Sequence, residues 1–143
     1  MPIELVYITT MKLTCRSEYA LLALVHLSRQ KPGDFLSIEK IAAAQNVPPK
    51  FLEQLLLTLK RAGYLNSCKG RWGGYRLAKP PGRITLAEVI RLFDGPLAPT
   101  VSVSKYFYEP TPLEKEKSLV RVFREIRNYV SDKLEKTTLA DVA

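Results

Sequence analysis

The stretch PKFLEQLLLTLKRAGYLNSCKGRWGGYRL, residues 49–77, changes its periodicity once, and that change decides the fold. In its first half Leu52, Leu55, Leu56 and Leu59 recur at three- and four-residue steps, which puts them on one face of a helix. Pro49 suits the first helical position, where no N–H is needed, and Gly63 suits the left-handed residue that stops a helix. The spacing predicts a helix from Pro49 to about Ala62. Beyond Gly63 the texture turns strand-like: Tyr64–Cys68 and Tyr75–Leu77 flank the glycine-rich Lys69–Gly74, as in a hairpin. Gly73 and Gly74 are expected to supply the positive φ of its turn.

Working outward, Ser37 can cap a helix over 38–45 with Ile38, Ile41 and Ala42 on one face, and Asn46-Val47-Pro48 is a short turn. Residues 14–30 form an earlier helix carrying Tyr19, Leu22, Ala23, Val25, His26 and Leu27, broken by Lys31-Pro32-Gly33-Asp34. Downstream, Thr85 can cap a helix over 86–93 with Leu86, Val89, Ile90 and Phe93. Residues 95–112, with four prolines and no helical period, read as a loop. A long helix over 113–136 aligns Leu113, Val120, Phe123, Ile126 or Arg127, Val130 and Leu134 on one seam, and 137–143 read as a fraying tail. The fold class is mainly α: a winged helix-turn-helix with a small β-hairpin wing and a long C-terminal helix. The organisation is an N-terminal extension (1–10), the winged domain (11–94), the loop, the long helix and the tail.

Helix, turn, helix, hairpin is the order in which the second helix enters a DNA major groove and the wing touches backbone or minor groove. The charge agrees. The 143-residue chain carries a net +8, and residues 49–83 hold eight of its 22 basic residues against a single acid, Glu53. Such a patch neutralises phosphates and releases counterions. With the leucines inward, Lys50, Glu53 and Gln54 occupy the opposite face near the helix start. Lys can donate to guanine, Gln can pair with adenine and Glu can accept from cytosine, although Glu53 has an equal alternative in a surface ion pair. Lys60 and Arg61 end the helix, and Lys69, Arg71 and Trp72 stand in the wing. Arg71 suits a narrow minor groove. Trp72 can pack on DNA, or against the core or a partner.

The remaining chemistry is sparse. One histidine, no nucleophile–base pair and no phosphate loop leave no catalytic site. Two cysteines match no zinc spacing, so no metal or cofactor is expected. Cys15 and His26 are expected to be packed; Cys68, beside Lys69, is either packed or a thiol switch. Residues 1–10 do not read as a signal peptide, and no apolar run nears the ~18 residues of a membrane span, so a soluble cytoplasmic protein is expected.

Several runs resemble the Rrf-two family of bacterial winged-helix repressors: Met11-Lys12-Leu13-Thr14, Glu18-Tyr19-Ala20-Leu21, Phe51-Leu52-Glu53-Gln54-Leu55-Leu56 and Gly73-Gly74-Tyr75-Arg76-Leu77. The resemblance implies a homodimer joined through the long helix, with Val120, Phe123, Ile126, Val130 and Leu134 at the seam. It also implies double-stranded DNA bound as an imperfect palindrome, read by Lys50, Glu53 and Gln54 with Lys69 in the wing. Many members hold an iron–sulfur cluster on three cysteines in the loop before that helix, some adding a carboxylate at the position of Glu18. Here Leu92–Leu113 contains neither cysteine nor histidine. The expected protein is therefore a dimeric DNA-binding regulator without a conventionally held cluster. Its effector would be a small molecule, a thiol event or a partner protein. A winged module binding protein or RNA is the alternative. Arg71-Trp72 also departs from the proline and glycine frequent there in the family.

Overall fold

The computed structural model describes residues 12–143, so the expected extension over 1–10 lies outside the described residues. Helix α1 (Cys15–Ser28) starts at Thr14, whose hydroxyl accepts from the Ser17 N–H. Helix α2 (Ile38–Gln45) is capped by Ser37 and ends at Asn46, whose φ of 54° allows the tight turn into the next helix. Helix α3 (Pro49–Arg61) closes through Gly63 at φ 90°, where the Tyr64 N–H reaches back to the Leu59 carbonyl at 2.9 Å. Strands β1 (Leu65–Cys68) and β2 (Gly74–Leu77) pair antiparallel, Leu65 opposite Leu77 and Cys68 opposite Gly74. Helix α4 (Leu86–Asp94) follows, opened by a reciprocal capping box between Thr85 and Glu88.

These elements enclose one core. Ala20, Leu24, Ile41, Leu52, Leu56, Leu59, Leu65, Ile84 and Val89 are all buried within it. A second apolar cluster of Ala87, Ile90 and Leu97 lies on the outer side of α4. Asp94, at the end of α4, accepts from both the backbone N–H and the hydroxyl of Thr14, so the start of α1 is tied to the end of α4. None of the described helices is long and apolar enough to cross a membrane.

The C-terminal third departs from the sequence expectation in three ways. The segment 95–112 is not a loose loop: Leu97, Ala98, Val101, Ser102 and Val103 are buried, the last three forming a single 3-10 turn. The long helix α5 spans Lys117–Lys136, because a second 3-10 turn occupies Pro112–Lys115. The residues after it do not fray. Leu86 and Leu139 donate backbone hydrogen bonds to Thr137 and Ile84, both at 2.9 Å, so the chain pairs with the segment entering α4. Thr138 then caps the short helix α6 (Leu139–Val142), and Leu139 is fully buried in the main core. Four residues are too few to show a helical period, so this contact had no signature in the sequence.

Helix α5 presents two different apolar faces. Val120, Phe123, Val130 and Leu134 are half-buried, and Leu134 packs against the cluster around Ile90. Of the seam expected for dimerisation, Ile126 alone is exposed, at 41 %, and it lies in line with the exposed Leu119, Val122 and Tyr129. Two spacings of three and four coexist on this helix, and composition could not say which faced the chain's own core.

The buried position of Leu139 makes a stability prediction. Leu139→Ala is expected to cost about 2–5 kcal/mol by the usual loss for a fully buried leucine. Urea denaturation followed by far-UV circular dichroism checks it; a change within ~0.5 kcal/mol, the range of ordinary surface positions, would mean that the tail is not docked.

Candidate nucleic-acid interface

The burial of Leu52, Leu55, Leu56 and Leu59 turns the opposite face of α3 outward, and Lys50, Glu53 and Gln54 are exposed there. Among the described residues, none of the three side chains has an ion-pair or hydrogen-bond partner within the chain: the ion pairs are Arg91–Glu135 and Lys105–Glu135. Glu53 therefore has, among the described residues, no partner for the surface ion pair that is its alternative role. Lys60 and Arg61 are exposed in the last turn, where positive charge also suits the negative end of the helix dipole.

The start of α3 is itself suited to an anion. Its N-cap, Pro48, supplies no side-chain acceptor, Pro49 has no N–H, and no acid occupies the first turn. The backbone N–H groups of Lys50 and Phe51 at this terminus are free of a side-chain cap, the arrangement that receives a phosphate oxygen. Sequence reasoning passed over this feature and over Phe51, which is 40 % exposed and meets Tyr19 edge-on at 5.4 Å between ring centroids. The signal available was an aromatic lying off the leucine stripe.

The wing is held against the helices by backbone contact. Tyr75 and Leu36 exchange hydrogen bonds at 2.7 and 2.8 Å, and a Cβ on Gly74 would stand 2.0 Å from the Leu36 carbonyl oxygen. Gly74 has φ 144°, and Gly70 has φ 102°. Gly73 does not have the expected positive φ; its missing side chain is needed because a Cβ would lie 2.1 Å from the Cys68 oxygen. At the tip, Lys69 and Arg71 are exposed and Trp72 is 84 % exposed, with the Arg71 guanidinium 5.4 Å from its ring centre. Trp72 is thus not a core residue of this chain.

The structure divides the eight positive charges of residues 49–83. Arg76 lies 4.4 Å over the Phe35 ring and donates to the Gly33 carbonyl at 3.1 Å. Lys79 lies 4.8 Å over the Tyr64 ring. Of the eight, Arg76 is half-buried, whereas Lys50, Lys60, Arg61, Lys69, Arg71, Lys79 and Arg83 are exposed. Cys15 is exposed, against the expectation of packing; Cys68 is exposed too, which removes the packed alternative for it, and His26 is half-buried. Cys15 sits in the first turn of α1, lining an open apolar cleft with Tyr19, Phe51 and Leu55 rather than entering the core.

The wing base is anchored to α4 through Tyr64, whose hydroxyl donates to Glu88 at 2.7 Å. Burial pushes the Glu88 carboxyl up, but hydrogen bonds from the Thr85 N–H, the Tyr64 phenol and the Thr85 hydroxyl outweigh it. With Lys79 nearby, the net pKa lies below its ordinary value. Burial first, then the bond to Glu88, pushes the Tyr64 phenol up.

The segment 95–112 offers no fit to iron. It holds no thiol or imidazole, its buried side chains are largely apolar, and no group of three metal-ligating side chains occurs among the described residues.

Comparison with known proteins adds to this geometry. Residues 13–143 match the Rrf2 family model, described as an iron-dependent transcriptional regulator. A provisionally named HTH-type transcriptional regulator of Mycobacterium tuberculosis strain H37Rv is 38 % identical over 136 residues, covering 93 % of this chain and 81 % of that protein. The HTH-type transcriptional regulator CymR of Bacillus subtilis is 31 % identical, covering 93 % of this chain and 90 % of its own. The solved structure of B. subtilis CymR, a global cysteine regulator, superposes with a TM-score of 0.75 at 30 % identity, over 93 % of this chain and 96 % of that one. An IscR from T. potens superposes at 0.70 with 26 % identity, over 92 % and 85 %.

The Glu88 network gives a pH prediction. A carboxyl whose folded pKa is depressed adds stability above its unfolded pKa, about 4.3 for glutamate, and loses it as pH falls through the folded value. Glu88→Gln is therefore expected to lower Tm at neutral pH, with the gap to the parent shrinking as the solution is acidified below that range. A gap that stays constant across pH would contradict the ionised, multiply bonded Glu88.

Proposed function

The chain belongs to the Rrf2 family of transcriptional regulators, and on that premise we propose that it is a homodimeric repressor that places one α3 in the major groove of each half of an imperfect palindrome. That the protein is a DNA-binding transcription regulator is established by the family and by its likeness to CymR over nearly the whole chain. The observation that carries the finer reading is the exposure of Lys50, Glu53 and Gln54, without side-chain partners among the described residues, in one motif with the exposed Lys69, Arg71 and Trp72.

In this reading the α3 terminus and Lys69 receive phosphates, fixing register, while Gln54, Glu53 and Lys50 read base edges. Lys60 and Arg61 add charge toward the backbone. Arg71 enters the minor groove, with Trp72 against the sugar–phosphate wall. Two copies join through Leu119, Val122, Ile126 and Tyr129 on α5, an exposed apolar stripe that a two-fold axis would pair with itself. Val120, Phe123, Val130 and Leu134 support α5 from within the protomer. Segment 95–112 lacks the donors for a cluster, so the input is a small molecule, a thiol event or a partner protein. The protein acts in the cytoplasm and carries no catalytic role.

Binding to a duplex recovered by random-sequence selection, followed by fluorescence anisotropy over a range of salt, tests this. Lys69→Ala and Arg71→Ala are each expected to weaken every duplex and lower the salt slope by roughly one. Gln54→Ala and Glu53→Ala are expected to shift preference at particular base pairs by ~1–3 kcal/mol. Equal affinity for a scrambled duplex would sink the specific reading. Ile126→Asp is expected to yield a monomer in sedimentation with weakened operator binding. A dimer that survives this change would place the seam elsewhere.

A further inference from the structure

Beyond the DNA face, a second cationic feature lies on α5. A concavity of about 690 Å³ opens between its first two turns and the segment 102–114, within the range of small-molecule sites. Lys117, Arg121 and Arg124 line it from the helix. Their spacing of four and then three residues sets them on one face. Like charges at these steps repel, and among the described residues neither ion pair involves any of the three. The start of α5 has Glu116 as its N-cap residue, makes no side-chain cap hydrogen bond and has no acid in its first turn. Glu114 is the one carboxylate in the lining, and it faces the phenol of Tyr108, whose pKa it raises chiefly by hydrogen bonding.

The other walls define what would fit. The Tyr108 ring and Val120 give an apolar surface, and Ser102, 8 % exposed, brings a hydroxyl held 2.6 Å from that of Thr111. Further along α5, Arg127 has its Nε buried without a hydrogen-bond partner, another unengaged donor on the inner side of the helix. Guanidinium groups bind carboxylate and phosphate oxygens in bidentate fashion. A ring and a valine beside them favour an anion carried on an organic body over a bare ion.

We infer that this concavity is a binding site for a small organic oxyanion, a metabolite bearing carboxylate or phosphate groups, held by Lys117, Arg121 and Arg124 against Tyr108. Such a site gives the regulator an input that needs no metal. A duplex backbone is the competing claimant for three surface cations. The concavity, walled by a tyrosine ring and a nearly buried serine, fits a small molecule better than a convex polymer.

The site is tested apart from DNA, so its failure leaves the regulator reading standing. The full chain is titrated with citrate, glucose 6-phosphate and inorganic phosphate by isothermal calorimetry, with thermal shift in parallel. At least one organic anion is expected to bind saturably in the submillimolar range and raise Tm, more tightly than inorganic phosphate. Arg121→Gln with Arg124→Gln should weaken it by about tenfold or more, whereas Lys69→Ala with Arg71→Ala should leave it unchanged. Arg121→Lys keeps charge and helix but removes the planar fork, and is expected to weaken binding as well. Absence of saturable binding by all three anions overturns the proposal. So does loss of binding in the wing variant but not in the α5 variants. Loss of duplex affinity in the α5 variants without any added anion would reassign the cations to the DNA backbone.

Discussion

The four leucines of α3 bear on almost everything else in this molecule. Leu52, Leu55, Leu56 and Leu59 are each no more than 1 % exposed, and burying a leucine side chain contributes about 1.5–3 kcal/mol. A helix with one face committed so strongly has no freedom to rotate about its axis. Turning it by one residue toward its C-terminus would expose leucines and bury Glu53 and Lys60, and an unpaired buried charge is costly. The packing that stabilises the domain therefore also fixes which side chains face outward. Fold and outward face share one cause.

The wing depends on a different constraint, one of space rather than of apolar area. A two-stranded hairpin is marginal by itself, and here it is held by the Leu36–Tyr75 backbone bridge, possible only because Gly74 has no Cβ. Tyr64 and Glu88 hold the base of the hairpin to α4, and Asp94 at the far end of α4 holds the start of α1. Helix α4 thus touches the base of the wing through its first turn and the start of α1 through its last. A shift of α4 would move the wing base and the start of α1 together. Arg91, on the same helix, bonds Glu135 of α5 at 2.7 Å, so the long helix is linked to that lever as well.

Much of this was legible in the sequence wherever a pattern repeats. The leucine period marked α3, and Ser37, Thr85 and Gly63 marked boundaries that the structure reproduces closely. The outward side chains of α3 followed from the period, since the face opposite the leucines has only one composition. What escaped was non-repeating. Leu139 is a single buried residue on a four-residue helix, positioned by backbone pairing with Ile84 and Leu86, and no local pattern announces a partner fifty residues away. The two apolar stripes of α5 escaped because amphipathicity says that a face is apolar without saying what covers it. Exposed Cys15 and Trp72 ran against the burial habits of their residue types. Habit describes averages, and each of these two stands at the edge of an element facing away from the core.

The segment before α5 shows how a regulator fold can change its input while keeping its output. Its buried apolar positions include Leu97, Ala98, Val101 and Val103, which contribute packing where a cluster would demand thiolates. Apolar side chains at these positions make the connection between α4 and α5 part of the folded body. They do not make it silent. Lys105 reaches Glu135 at 3.5 Å, and Tyr106 stacks against Arg91 at 4.7 Å, so the exposed part of the segment touches the same Arg91–Glu135 pair that joins α4 to α5. Tyr108, two residues further, lines the cationic concavity. An event there is therefore separated by a few residues from the pair linking the long helix to α4, and α4 reaches the base of the wing through Glu88. The route from input to reading surface can be built from this chain's own side chains, with no metal along it.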